Sequence, residues 1–446
     1  RVEDELLSRQ FPGHTPASYG GNKRCYPVDT GSIAPSGRDR VNVEVATPSR
    51  ADTVSTLPES FHRTDRRERM DERAYFERLD STASDPAELF EHFEQRSVGG
   101  RTTHVLPSAR HGIERGTVIL DAADAIVRGY PSIPRVLALD AGVTSFFESG
   151  ESIFAEEKLD GFNVRVADVG DEGPLAFTRG GYVCPYTTAR VRDLLDLGEF
   201  FATHPEMMLC AELIGPETPY TTHDYAEVDS DAIRVFDVRD RESAVPLAVS
   251  ERRERCVRYD FPQPRLFGRY DRSEATEEVW SAIEELDADG REGVVMKTAD
   301  SDSMVKYTTE SKHHDELADH FSLPFDLGRD FVFSRITREV FQAAEFDESD
   351  ERLRERAHDL GESILLPAVE TVRRIESGET VGQRHRVRGG HDDIDALLDH
   401  LRDLSLTIEV EADYRENGQR VVEFLKVAES TVDRTTYYLE GGTYDE

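Results

Sequence analysis

Ile153-Phe154-Ala155 leads like a β-strand into Lys158-Leu159-Asp160-Gly161-Phe162-Asn163-Val164-Arg165, and the strand pattern resumes with Val164 and Val166. A lysine set between a strand and a tight Asp-Gly turn is held at one spot, unlike a lysine on a helix surface. Lysine amines act as covalent nucleophiles when their surroundings favour the neutral form. Asp-Gly between strands is also an ordinary turn signal, so a β-hairpin carrying a surface lysine is the competing interpretation.

The supply of cations makes this lysine worth attention. The 446 residues hold 90 Asp and Glu against 54 Lys and Arg, a formal charge of −36. Only six of the cations are lysine (Lys23, Lys158, Lys297, Lys306, Lys312, Lys426), leaving 48 arginines. Where arginine is the default cation, each remaining lysine invites a chemical reason, because arginine cannot act as an amine nucleophile. An acid-rich, lysine-poor surface resembles proteins of salt-loving archaea. At about 1 M salt the Debye length is about 3 Å, so the net charge does not exclude a polyanionic partner that meets local basic contacts. The 37% hydrophobic content and many strand-like runs argue against an acidic disordered chain. The four cysteines (Cys25, Cys184, Cys210, Cys256) form no CxxC pair, which speaks against a zinc or disulfide framework and for a reducing, cytoplasmic setting. No run of 18 apolar residues exists, and no signal-peptide pattern is visible.

The length predicts two to four domains. Residues 1–69 read as poorly structured, and Met70 is the first methionine. They are either a tail or an upstream extension from a start-site assignment. Residues 70–150 predict an N-terminal α/β module. It has a helix through Tyr75, Phe76 and Leu79, a second after Asp85-Pro86, and strands at Thr117–Leu120 and Val136–Leu139. Residues 151–312 alternate strands (Phe154–Val169, Leu175–Arg179, Met207–Ile214, Ile233–Val238, Val294–Lys297) with helices at Val191–Phe201 and Glu274–Leu286. That pattern predicts an antiparallel-sheet α+β domain. Residues 320–380 predict helices at Phe331–Ala344, Glu351–Leu360 and Ile364–Glu376, whose apolar faces either close the core or form a dimer interface. After a glycine-containing break near Gly378–Gly390, residues 390–446 predict a small domain. Its elements are a helix at Ile394–Leu404 and strands at Thr407–Val410 and Val421–Leu425 around an Asn417-Gly418 turn.

The octapeptide has ordered companions: Thr178-Arg179-Gly180-Gly181, Ala211-Glu212-Leu213, Val235-Phe236-Asp237-Val238, Arg291-Glu292-Gly293-Val294-Val295-Met296-Lys297 and Met304-Val305-Lys306-Tyr307. Each alone is weak; a Phe or Glu in a strand is ordinarily structural. As an ordered set they resemble the covalent nucleotidyltransferases, the polynucleotide ligases and capping enzymes, whose domain is ATP-grasp-like. Asn163, where DNA ligases usually carry arginine, points within that group to RNA ligases. The Glu292–Lys297 box, the Lys306 stretch and the helical C-terminal region look most like archaeal homodimeric ATP-dependent RNA ligases.

The resemblance implies an ATP-dependent enzyme in which Lys158 forms a lysyl–AMP intermediate, with magnesium or manganese as cofactor. AMP would pass to the 5′-phosphate of an RNA, which is then joined to a 3′-hydroxyl, within one RNA or between two. It implies phosphate contacts for Lys297, Lys306 and Arg179, with Lys306 preferred at the α-phosphate, and a metal at Glu292. Glu212 and Asn163 would meet the ribose hydroxyls, Phe236 would stack on adenine, and Glu156 would lie near the base edge. Asp160 would shape the turn and serve metal or phosphate, and Arg165 would support the nucleotide site. A DNA ligase, a capping-type nucleotidyltransferase and a non-catalytic nucleic-acid-binding relative are the alternatives. Asn163 speaks against the first two, and the presence of Lys158 and Glu292 against the last.

Overall fold

The computed structural model of the protein describes residues 70–444, apart from 99–100, 171–172, 222 and 327. The expectation for residues 1–69 lies outside the described residues. Two short helices open the chain. In α1 (Glu72–Leu79) the Asp71 side chain accepts from the Ala74 amide, and α2 (Pro86–Phe90) starts at the predicted Asp85-Pro86, with Asp85 accepting from Glu88. Four strands follow as an antiparallel meander, β1 (Glu94–Val98), β2 (Arg101–Val105), β3 (Val118–Leu120) and β4 (Ala125–Val127). The strand expected at Val136–Leu139 is not formed. Leu139 instead opens helix α3 (Leu139–Phe146), whose first amides, Leu139 and Asp140, donate to Glu345 at 2.7 and 2.9 Å. A four-residue apolar run does not distinguish a buried strand from the entry to a buried helix.

The central region is built on two antiparallel sheets. β5 (Ser152–Lys158), β6 (Phe162–Asp168) and β7 (Pro174–Thr178) come first, followed by helices α4 (Pro185–Leu194) and α5 (Gly198–Thr203). A single helix was expected over Val191–Phe201. It divides because Leu195 turns to extended backbone and the Asp196 carboxylate accepts the Gly198 amide at 3.3 Å. Then come β8 (Met207–Ile214), β9 (Ala232–Asp240), α6 (Val249–Arg258), β10 (Leu266–Asp271), α7 (Arg272–Ala288), β11 (Gly293–Thr298) and β12 (Met304–Thr308). One sheet has the order β10-β5-β11-β12 and the other β7-β6-β8-β9. β5 and β6 therefore lie in different sheets, and the Lys158–Arg165 segment is a crossing between them. The hairpin interpretation fails on this point.

The C-terminal region comprises α8 (Glu310–Ser322), α9 (Arg329–Glu345), α10 (Asp350–Glu376), β13 (Gly382–Gly389), α11 (His391–Asp403), β14 (Ile408–Glu416), β15 (Gln419–Val427) and α12 (Glu429–Leu439). Two helices were expected over Glu351–Glu376. One continuous helix forms, carrying Pro367 inside it. The expected break at Gly378–Gly390 contains β13, which pairs with β15 along its whole length. The β14–β15 turn does use Asn417 and Gly418, both at positive φ, as a two-residue hairpin requires.

Three clusters of buried side chains explain how these pieces hold together. The β10-β5-β11-β12 sheet packs Ile153, Val294, Met296 and Val305 against Leu139 and Val143 of α3 and Val279 and Ile283 of α7. The second sheet is covered on both faces. Val164, Leu209 and Val235 meet Phe200 of α5 together with Val387, Leu397 and Phe424 of the C-terminal region, while Ala167, Phe177 and Met208 meet Val105 and Val118 of the N-terminal meander. A strand buried on both faces reads as a nearly continuous apolar run, as Met207–Ile214 does apart from Glu212. The whole is an α+β fold.

Candidate active site

The crossing between the sheets needs close backbone approach. Gly161 lies so near the Leu213 carbonyl that any Cβ would collide with it, and the Asp160 amide donates to the buried Tyr225 hydroxyl at 2.7 Å. Lys158, the last residue of β5, thus ends where its strand stops pairing. Opposite it, Gly293 takes φ +146, and a Cβ there would strike the Tyr307 carbonyl. This kink places Glu292 just before β11, one residue ahead of Gly293, which stands in register with Lys158. The two side chains meet, Lys158 Nζ donating to Glu292 Oε2 at 2.6 Å, with Glu292 almost fully buried.

A cavity of about 600 Å³ opens around this pair. That is the size range of small-molecule sites. Its lining includes Glu156, Lys158, Asp160, Asn163, Arg179, Glu212, Phe236, Glu292, Lys297 and Lys306, contributed by both sheets. Phe236 reaches it through a β-bulge. Cys210 faces Asp237 and the next residue, Ala211, faces Val235, so Phe236 is the extra residue of β9. Its ring is half-buried, edge-on to Tyr130 at 5.2 Å, while its neighbours Val235 and Asp237 are buried. A Phe in a Val-Phe-Asp-Val strand would ordinarily be core, and the bulge is what exposes it.

The carboxylates of the cavity differ in their surroundings. Burial works against charge on Glu156, but Lys297 at 3.0 Å, Arg252 in direct contact and Arg253 at 2.7 Å surround it, and its carboxyl is held down to about 2. Lys297 also donates to the Phe236 carbonyl at 2.8 Å, so it is bound on two sides within the site. Glu212 is the opposite case. Burial lifts its carboxyl to about 7, Lys158 lowering it and Glu292 adding to the rise. It accepts no hydrogen bond among the described residues, and beside it in register stands Asn163, whose buried amide oxygen is unpartnered. A buried, unpartnered carboxamide oxygen beside a half-buried carboxylate is costly unless a ligand's donors complete it.

Asp160 is engaged by Lys312 from α8 and lies 3.5 Å from His223. Lys312, nearly buried, makes four of the chain's six lysines part of or adjacent to this site. Sequence reasoning passed over it because it sits on a helix beyond the last recognised motif; the lysine scarcity itself was the signal. Arg135, Arg335 and Arg338 also line the cavity; with arginine the common cation here, the sequence marks Arg335 and Arg338 only as a weak basic track for a substrate strand and does not mark Arg135. Arg165 does not line it. Its guanidinium is fully buried and donates to the carbonyls of Arg128, Gly116 and Thr178, joining β6 to the N-terminal meander. The expected nucleotide-supporting role is corrected to a structural one: Arg165 shares a face of β6 with Asn163 but lies further along the strand, beneath that meander.

A separate group, Glu310, His314 and Glu339, is close enough to hold a cation, but it is a knot of ion pairs. Arg356 lies 2.8 Å from Glu310 and 2.5 Å from Glu339 and already neutralises both carboxylates.

The sequence model of the RNA ligase family matches residues 151–308, and that of the ligase Pab1020 C-terminal region matches residues 320–442. A solved archaeal ATP-dependent RNA ligase, in two forms, superposes with a TM-score of 0.78 at 38% identity, covering 84% of this chain and all of the other. The chain belongs to the archaeal ATP-dependent RNA ligase family. An Aquifex aeolicus protein proposed to be an ATP-dependent DNA ligase superposes with a TM-score of 0.74 at 26% identity, over 80% of this chain and 97% of that one. An uncharacterized protein of Methanocaldococcus jannaschii is 38% identical over 346 residues, 75% of this chain and 86% of the relative. The C-terminal region of this ligase-family chain thus matches a ligase-specific segment of its own, consistent with the core it shares with the second sheet.

The raised Glu212 carboxyl makes a prediction about stability. Its proton is favoured in the fold, so the stability it contributes is present below about pH 4.5 and lost as pH rises through about 7. Glu212→Gln removes the loss. Chemical denaturation should show the variant more stable than the parent by about 1–3 kcal/mol above pH 7, with the gap closing towards pH 4.5. Equal stability at both ends would mean that the carboxyl is not buried as described.

Proposed function

We propose that the protein is an ATP-dependent RNA ligase that works through a lysyl–AMP intermediate on Lys158. The observation that carries the reading is the Lys158–Glu292 pair at 2.6 Å in a nucleotide-sized cavity lined from two sheets. Lys158 Nζ attacks the α-phosphorus of ATP. The N–P bond forms, the bridge between the α- and β-phosphates breaks, pyrophosphate leaves with the bonding electrons, and the protons of the nitrogen pass to solvent. Lys306 and Arg179 stabilise phosphate oxygens, Lys306 facing the α-phosphate; Lys297 completes the cationic wall and holds Glu156. Glu212 and Asn163 receive the ribose hydroxyls, which supply the donors and acceptors these two lack. Phe236 stacks on adenine. Asp160 shapes the turn that presents Lys158.

The carboxylates suit a divalent ion. Glu292 is buried and Glu212 beside it is driven towards neutrality, the crowding that a magnesium or manganese ion relieves. When bound, such an ion supplies positive charge to the carboxylates and to the phosphate oxygens. Glu292 is the residue we assign to it. In the second step a 5′-phosphate oxygen of RNA attacks the lysyl-bound phosphorus and the N–P bond breaks, returning the amine. In the third, an RNA 3′-hydroxyl attacks the adenylylated 5′-phosphate and AMP leaves.

RNA is favoured over DNA as substrate because Asn163 stands where DNA ligases usually carry arginine. Sealing of 5′-phosphorylated RNA and nicked DNA, compared with α-labelled ATP and a divalent ion in molar KCl, tests this. Efficient joining of nicked DNA alone would reverse the assignment, and equal labelling from GTP would favour a capping-type enzyme. The salt follows from the acidic, lysine-poor composition, from which we infer a haloarchaeal source and a cytoplasmic setting.

We infer a homodimer through α9 and α10. Phe333, Val340, Phe341, Leu365 and Leu366 are exposed on these helices, an apolar surface that a second copy would cover by two-fold symmetry. Sedimentation in high salt should find a dimer, and Phe333→Glu with Leu365→Glu should yield a monomer that keeps its helical content. A monomeric parent protein would remove the inference. On this reading residues 70–150, 151–312, 320–380 and 390–446 are the N-terminal, nucleotidyltransferase, dimerisation and small C-terminal domains.

A further inference from the structure

The turn that follows Lys158 is held by one side chain from outside every motif the sequence marks. Tyr225 lies on the connection between β8 and β9. It is almost fully buried and packs with Leu159, Ile214 and Val228, in a small cluster apart from the three that join the sheets to their neighbours. Its hydroxyl accepts the Asp160 amide at 2.7 Å and donates to the Asp160 carbonyl at 3.2 Å, so both polar backbone groups of one residue end on one oxygen. Burial pushes that hydroxyl well above the usual phenol range, which keeps its proton and lets it donate and accept at once. The Arg291 guanidinium lies over the ring at 4.4 Å, and Glu227 at 2.7 Å and Glu157 at 3.4 Å hold it there. Arg291 immediately precedes Glu292, the carboxylate that meets Lys158. The contacts close a circuit. It runs from Lys158 through Leu159 and Asp160 to Tyr225, on to Arg291 and Glu292, and back to Lys158.

Lys158 needs such a support. It is the last residue of β5, and beyond it the chain leaves one sheet for the other. An amine must meet phosphorus in line with the departing group, and about 1 Å of misplacement costs about a hundredfold in rate. We propose that Tyr225 is a positioning residue for the chemistry at Lys158: its hydroxyl fixes the backbone of the turn, and its ring ties that turn to Arg291 and Glu292. The proposal rests on the reading of Lys158 as the nucleophile. Tyr225 does not line the cavity, so its effect reaches the nucleotide only through the residues it holds. Lys312 holds the Asp160 carboxylate from α8, so that side chain stays anchored when the tyrosine hydroxyl is removed. What Tyr225 supplies is the hold on the backbone.

Tyr225→Phe removes one oxygen and keeps the ring. Full-length parent and variant are compared, where both are folded, in labelling by α-labelled ATP, in reversal of preformed ligase–AMP by pyrophosphate, and in sealing of chemically pre-adenylylated RNA without ATP. The first two reactions make or break the bond between phosphorus and Lys158 Nζ; the third does neither. Labelling at saturating ATP and reversal at saturating pyrophosphate should slow at least tenfold, while KM for ATP and the rate of sealing stay within about threefold of the parent. Unchanged rates would overturn the proposal. So would an equal loss in all three reactions, the mark of a general structural defect, or a rise in KM alone, which would give Tyr225 to nucleotide binding. Tyr220→Phe takes from the same connection a hydroxyl that meets Cys184 at 3.4 Å, and it should label as the parent does. A loss there equal to that of Tyr225→Phe would also count against the assignment. If Tyr225→Phe does not fold, Glu227→Gln decides the matter, because this half-exposed carboxylate holds Arg291 over the ring. It should slow labelling at least threefold with sealing unchanged, and no slowing would overturn the proposal. A parent protein that takes no label from ATP fails the ligase reading first, which tells the two failures apart.

Discussion

Replacing Lys158 by alanine is expected to reduce covalent labelling from α-labelled ATP by about 10⁴-fold or more, because the variant lacks the atom that forms the N–P bond. Lys158→Arg should fail equally, since a guanidinium stays protonated. Neighbouring lysines will not substitute. Lys297 is held between Glu156 and the Phe236 carbonyl, and Lys312 is tied to Asp160. The readout is label on denatured protein, mapped to a peptide. Undiminished labelling of the alanine variant would sink the mechanism, and label on Lys306 would move the nucleophile to β12. Removing Lys158 takes this cation from the nearly buried Glu292 carboxylate, so melting of the variant should fall below that of the parent, and labelling is compared where both are folded.

Glu156→Gln is expected to have the largest effect on stability, about 3–5 kcal/mol, because it leaves two buried cations, Arg252 and Lys297, without their carboxylate. The pH dependence carries the sign. The Glu156 carboxyl is held near 2, so its contribution is complete above the ordinary carboxylate value of about 4.5 and is lost as pH falls from there towards 2. Denaturation of parent and variant should therefore differ fully at pH 7 and converge in acid. A small, pH-independent difference would show that Arg253 and water compensate. The same variant tests the role first assigned to this residue. If Glu156 reads the base edge, KM for ATP should rise under conditions where the variant is fully folded; if it only organises Lys297 and Arg252, KM should rise no more than Lys297→Met raises it.

Which residues would gather was largely legible in the chain. Chemistry of this kind needs lysine and a carboxylate at strand ends, and both have recognisable company: Lys158 before Asp-Gly, Glu292 before Gly293. What escaped was placement. Arg165, two residues after Asn163, shares its face of β6 by strand alternation, yet it lies further along the strand, under the meander, where its guanidinium meets carbonyls and not the cavity. Phe236 would have been turned into the core by the same alternation, and only the bulge in β9 brings it to the cavity. Neither the bulge nor the partner sheet of β6 can be deduced from local pattern. The element boundaries failed where glycine was taken as a stop. Tertiary packing carries α10 through Gly361, and β15 draws Gly382–Gly389 into a strand.

The sequence by itself determined the class of chemistry and the α+β architecture, because a covalent nucleotide site demands particular functional groups and strands declare themselves by alternation. Only the tertiary structure decided that the Lys158 crossing joins two sheets, that Lys312 reaches Asp160, and that α9 supplies arginines to the cavity. These are contacts between residues far apart in the chain, set by which faces pack together. No local propensity encodes them.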